Sequence, residues 1–135
     1  MSDGSTIEWL NRPGTKPATW NPIRAARKVL GQETQGAGSD RRTGWYCEHV
    51  HEGCRNCYAE SFNLRLGNGL DYKPGNRDHL SIFLDEQTLL QPLKWKHPRT
   101  IFVESMSDLY GAWVTDAMLD KIKAVQALTP QHTYI

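Results

Sequence analysis

Residues 99–135 read RTIFVESMSDLYGAWVTDAMLDKIKAVQALTPQHTYI, and three pieces of this stretch decide the fold. Thr100-Ile101-Phe102-Val103 follows Pro98 as a short apolar run of the kind that forms a fully buried strand, and Ser105 to Gly111 is its exit loop. Thr115 or Asp116 then caps a helix in which Met118, Ile122, Val125 and Leu128 recur at helical spacing as a core-facing stripe, ending at Thr129-Pro130. Thr133-Tyr134-Ile135 opens another β-branched and aromatic strand. Strand, helix, strand is the rhythm of a parallel α/β unit with right-handed crossovers.

Working back from there, Asp85 to Leu90 predicts one or two helical turns before Pro92, and Gly67 to Asn76 is loop. Tyr58 to Leu66 predicts a helix stopped by Gly67, with Tyr58, Phe62 and Leu66 on one stripe and Tyr58 and Phe62 packing it against the sheet. Gln32 to Thr43 is rich in Gly, Ser, Gln and charge and reads as an exposed loop. Ile23 to Leu30 carries Arg24, Arg27 and Lys28 and reads as a basic helix stopped by Gly31. Ala18-Thr19-Trp20-Asn21-Pro22 predicts a short strand ending at a turn, with Trp20 in the core, because a residue before proline is driven to extended geometry.

The 135 residues are one domain's worth of chain, and 39% hydrophobic with 23% charged residues is ordinary globular usage. Sixteen basic against fifteen acidic residues leave a net charge of +1, so no global field draws the protein onto nucleic acid or an anionic membrane. The basic faces at Arg24, Arg27, Lys28, Arg41 and Arg42 read first as solubilising surface and second as phosphate contacts. Met1 to Glu8 lacks the basic and apolar regions of a secretory signal, and no apolar run approaches the roughly 20 residues of a membrane span. The expectation is a cytoplasmic protein without membrane contact.

All three cysteines fall within eleven residues, in Cys47-Glu48-His49-Val50-His51-Glu52-Gly53-Cys54-Arg55-Asn56-Cys57. An odd, tightly clustered set suits a metal better than a disulfide framework. Thiolates are soft ligands for zinc and for iron–sulfur clusters, and a two-residue gap such as Cys54 to Cys57 lets neighbours converge on one centre. Gly53 lets the loop turn back, and the helix that follows directs its N-terminal amides at an anionic cluster. Two closures stay open. His49 or His51 would complete a four-coordinate zinc site in a non-catalytic module that contacts a protein or nucleic acid, whereas three thiolates alone would hold a cubane cluster with one iron free. Both histidines also read simply as solvated loop residues.

Six segments appear in the order found in the phage-associated three-Cys-motif family, DUF5131, and the chain resembles that family over most of its length: Ile7 to Trp9, Thr19 to Pro22, Gly53 to Glu60, Gln91 to Trp95, Ile101 to Leu109 and Ala127 to Thr133. The resemblance implies a radical-SAM-like protein of phage or prophage, with S-adenosylmethionine (SAM) as cofactor and an unassigned substrate for which a nucleotide or nucleic-acid base is the natural guess. It implies an α/β fold, a partial (β/α) barrel of the radical-SAM type. The chain would correspond to its N-terminal half, a truncated barrel completed by a second chain or an oligomer, and would act as an enzyme once completed. Residues 23–46 would be an inserted helix and loop. The implied ligands of a 4Fe–4S cluster are Cys47, Cys54 and Cys57. A reduced cluster would pass one electron to the sulfonium of SAM, yielding methionine and a 5′-deoxyadenosyl radical. The exit of the second strand would bind the cofactor's amino group, which here falls on Ser105, Ser107 and Asp108. Asp108 has a competing reading as the cap of a helix or turn beginning at Leu109.

Overall fold

The computed structural model of the protein describes residues 8–28, 43–49, 54 and 57–135. The strand read at Thr100 to Val103 is β5, Arg99–Val103, and it lies between β1, Lys16–Trp20, and β6, Thr133–Tyr134, with both pairings parallel. Ala18 pairs with Ile101, and Ile101 in turn with Tyr134, so each strand's apolar positions reach the same face. Between β5 and β6 runs α4, Asp116–Leu128, whose start is capped as its sequence predicts: the Thr115 hydroxyl accepts from the Met118 amide at 3.2 Å. Ile122 and Val125 pack on Ala18, Trp20 and Ile101 in the main core. Leu128 instead is exposed, because the helix ends there and Thr129 turns inward, its hydroxyl bonded to Val125 O at 2.8 Å and meeting Tyr134 Oη at 2.6 Å.

Ile23 to Lys28, the described part of the expected basic helix, is not helical. Ile23–Arg27 forms β2, the middle of an antiparallel sheet with β3, Thr43–Gly44, on one side and β4, Leu80–Leu84, on the other. Helix propensity in Arg-Ala-Ala-Arg is a weak preference, worth a few tenths of a kcal/mol per residue, and two flanking ladders outweigh it. The expected inserted helix is therefore a strand at its start. Residues 29–42 of that segment, with Arg41 and Arg42, lie outside the described residues, as do His51 and Gly53. β4 has no counterpart among the sequence expectations.

The short helix α2, Glu86–Leu89, follows β4 as the sequence predicts and is capped by Asp85, whereas α3, Gln91–Lys94, is a further helix that takes Pro92 into its first turn, where a proline's missing N–H costs nothing. Helix α1, Tyr58–Leu66, is also where the sequence places it, and Gly67 follows it. Its packed face is different from the one expected. Ala59 and Asn63 are buried, whereas Tyr58, Phe62 and Leu66 are exposed. The chain is thus a mixed α/β structure with two small sheets, and among the described residues the strands do not close a barrel. No helix among them is long and apolar enough to cross a membrane.

Candidate metal and ligand site at the strand ends

The cysteine segment is anchored by two buried amides. Asn63 and Asn68 face each other with Asn63 Nδ2 donating to Asn68 Oδ1 at 2.8 Å. Asn63 Oδ1 accepts from the amides of Trp45 and Asn68, and Asn68 Nδ2 donates to the carbonyls of Ala25 and Trp45. Asn63 Nδ2 also reaches Leu70 O, and Asn68 Oδ1 accepts from Leu70 N, so every amide position of the pair is used. A Cβ at Gly44 would stand 2.1 Å from Asn63 Oδ1 and 2.5 Å from the Asn68 backbone nitrogen, which is why β3 ends on a glycine. The pair thereby fastens β2, the end of α1 and Trp45, two residues before Cys47, to one point.

Cys57 is the N-cap residue of α1, and Cys47 and Cys57 both pack against the cluster of Ala59, Tyr72 and Met106. None of the three cysteines is in a disulfide. Burial pushes the Cys47 thiol up to about 11, and the nearby Asp108 carboxylate, Cys57 and Cys54 push in the same direction. Cys54, Cys57 and Asp108 are thus near enough to act on Cys47. Burial likewise raises the Tyr72 hydroxyl, with Cys47, Cys57 and Glu60 adding to the effect.

The exit of β5 is stitched to this segment. Tyr72 Oη donates to Met106 O at 2.7 Å, Tyr58 Oη to Ser105 O at 3.3 Å, and the Ser107 hydroxyl to Tyr46 O. Asn21, at the end of β1, accepts from Met106 N at 3.0 Å and bonds the Ser105 hydroxyl. Asp108 is exposed and its Oδ1 accepts from Tyr110 N at 2.9 Å, so it does shape a turn, and that same turn holds it at the rim. The two sets of residues singled out by sequence, the cysteines and Ser105 to Asp108, therefore share the carboxyl end of the parallel sheet, where open α/β sheets bind ligands. A cavity of about 520 Å³ opens there, lined by Phe102, Glu104, Ser107, Asp108, Lys123 and Tyr134 among others.

Glu104 is the group that sequence reasoning missed. It is 4% exposed and sits at φ +52°, a backbone region that costs a non-glycine residue energy and is found where function demands it. Its Oε1 accepts from Ile23 N at 3.0 Å, while Oε2 is buried with no hydrogen-bond partner among the described residues. Burial pushes its carboxyl up to about 8, against the pull of the Ile23 amide and of Arg24. The only sequence signal was a lone acid directly after Ile-Phe-Val. A second omission is the pairing of His49 Nε2 with Glu60 Oε2 at 3.0 Å.

Three soft thiols on one neighbourhood fit an iron–sulfur cluster or a thiophilic ion by the chemistry of the donors. Among the described residues, no three His, Cys, Asp or Glu side chains already stand at ligand distance, so the loop would have to draw in around a metal. No curated protein and no solved structure matches the chain. A family model, described as a protein of unknown function, DUF5131, matches residues 41–135, which include all three cysteines and both sides of the candidate site. On that match the chain belongs to the DUF5131 family.

Proposed function

We propose that this chain is a radical-SAM-like protein in which Cys47, Cys54 and Cys57 hold a 4Fe–4S cluster and SAM binds across the carboxyl ends of β1 and β5. One observation carries the reading: the hydrogen bonds from Tyr58, Tyr72 and Ser107 tie the cysteine segment to the β5 exit, so the thiols and a ligand-sized cavity share one end of a parallel sheet. When bound, the cluster supplies the electron that cleaves the sulfonium of SAM.

The chain's own part is to hold and orient. Asn63 and Asn68 fix the approach to Cys47, and the Cys57 thiol enters at the first turn of α1, where backbone amides favour negative charge. Ser107 and Asp108 line the cavity and Ser105 precedes them at the β5 exit, bordering the place for the cofactor's amino group, and Glu104 turns one oxygen without a partner among the described residues to the same cavity. A nucleotide or nucleic-acid base as substrate, a second chain or copy that completes the barrel, and a phage setting belong to the same proposal and rest on the family resemblance.

The test is anaerobic reconstitution with iron and sulfide followed by electron paramagnetic resonance (EPR) of the reduced protein with and without SAM. We expect a cluster signal that shifts on adding SAM, and loss of the full cluster on Cys→Ala at any of the three positions. A full cluster retained in all three variants would falsify the ligand assignment. The same donors also suit a zinc-binding module that contacts a protein or nucleic acid. Colourless protein carrying stoichiometric zinc and refusing iron is the result that selects that reading.

A further inference from the structure

His49 lies two residues after Cys47, and Glu60 lies one turn along α1 from Cys57. Their side chains meet at 3.0 Å, Nε2 to Oε2, with side-chain exposures of 35% and 17%. The same Glu60 oxygen accepts from Tyr72 N at 2.8 Å, so the carboxylate is fixed by the residue on which Cys47 and Cys57 pack. A carboxylate bonded to Nε2 sets the tautomer with the proton on Nε2 and leaves the Nδ1 lone pair available. A metal-ligating histidine is almost always arranged in this way, one ring nitrogen on the metal and the other donating to a carboxylate that orients the ring and raises its basicity. An ordinary surface pair contributes little and needs no such scaffolding. Here the acid is held from a second side by a backbone amide.

We infer that His49, oriented by Glu60, is a fourth protein ligand of the three-cysteine centre, donating Nδ1 to the metal. The inference rests on reading the three cysteines as a metal centre, and it does not depend on which metal is bound. With a divalent thiophilic ion such as zinc, three thiolates and one imidazole form a closed tetrahedral set. With a 4Fe–4S cluster, the imidazole would hold the iron that three thiolates leave open, and SAM would have to take its place there.

Two probes test this apart from catalysis. Cobalt(II), titrated into the reduced full chain under argon, reports thiolate ligation in the near ultraviolet and the fourth donor in its visible bands. The wild type is expected to show a three-sulfur, one-nitrogen spectrum. His49→Ala should keep the thiolate bands, change the visible ones and bind more weakly. Glu60→Gln keeps an acceptor for Tyr72 N but removes the charge, and should weaken cobalt by about 10- to 100-fold with the same band shape. In parallel, protein carrying ¹⁵N-histidine is reconstituted with iron and sulfide, and the reduced cluster is searched for ¹⁵N hyperfine coupling. The coupling should be present in the wild type, absent in His49→Ala and lost on adding SAM.

A cluster that responds to SAM but shows no ¹⁵N coupling, together with unchanged cobalt spectra in His49→Ala, sinks the histidine ligand and leaves the proposed function standing. No cluster but a cobalt spectrum that depends on His49 does the reverse. Failure to bind either metal overturns both.

Discussion

Glu104 holds a proton that the unfolded chain would release. Its folded carboxyl is pushed up to about 8 from an ordinary value of 4.5, by burial above all. Between those two values the folded state binds more protons than the unfolded one, so stability falls as pH rises. The contribution is fully present below about pH 4.5 and gone above about pH 8. Urea denaturation of the wild type between pH 5 and 8 should include a loss approaching ~1.4 kcal/mol per pH unit from this group. Glu104→Gln keeps the size and the acceptor for Ile23 N and removes the titration. Its stability profile should lack that downward slope, and an unchanged slope in the variant would show that the carboxyl is ionised in the fold. The buried amides make a second prediction at this scale. Asn68→Asp is nearly isosteric, yet an oxygen then faces the carbonyls of Ala25 and Trp45 in place of the amide's N–H groups. Loss of two buried donors should cost roughly 2–3 kcal/mol by thermal or urea unfolding, and a cost under half a kcal/mol would mean the knot is not fastened as described.

Elements whose neighbours in sequence are also their neighbours in space were legible, and the others were not. The β5, α4 and β6 run is local: Ile101-Phe102-Val103 is an apolar strand centre, Thr133-Tyr134 is β-branched and aromatic, and the helix between carries both a cap and a core stripe, so residues 99–135 announce their own structure. Thr115→Ala should accordingly cost about 1 kcal/mol of stability, the usual worth of an N-cap hydroxyl, and a neutral result would say the cap adds nothing here. β2 is the opposite case. Ala25 is 0% exposed because Gly44 and Ile82 flank it from segments far along the chain, and nothing in Arg-Ala-Ala-Arg reports that. Ala25→Pro puts a residue without an N–H in the middle of a central strand, and soluble, natively folded protein from that variant would contradict the strand assignment. The α1 face was misread for a related reason. Aromatic residues at Tyr58 and Phe62 suggest a buried stripe, but the helix packs through small Ala59 and through Asn63, whose amide is needed by Trp45 and Asn68. The site divides the same way. The cysteines and the Ser105 to Asp108 exit were visible as residue types at a spacing, whereas Glu104 depends on a backbone angle and on burial, which no spacing encodes.

Across the whole molecule, three apolar clusters of unequal size share the work among the described residues. The largest gathers residues of both sheets with Ile122 and Val125 of α4, and Ile23, Ile82 and Leu84 bring the antiparallel sheet onto it, while Ala25, Tyr46 and Leu80 form a second. The cysteine segment rests on a small separate cluster, with Trp45, Cys47 and Cys57 packed on Ala59, Tyr72 and Met106. Segments with few buried apolar contacts open at lower free energy than the global fold, so the two regions should exchange amide hydrogens separately. A metal bound to the thiols stabilises only states in which the segment is closed. At a free concentration of 100 times the dissociation constant it adds about 2.7 kcal/mol to closing, which corresponds to roughly 100-fold slower exchange. Zinc added to the reduced chain should therefore slow exchange at Trp45, at Tyr72 and in the first turn of α1, and leave the centre of α4 near its metal-free rate. Equal slowing in α4 would mean that the cysteine segment opens only when the whole molecule unfolds. No slowing anywhere would take zinc out of the centre and leave the iron–sulfur cluster as the metal for three thiols that stand beside the open end of a parallel sheet.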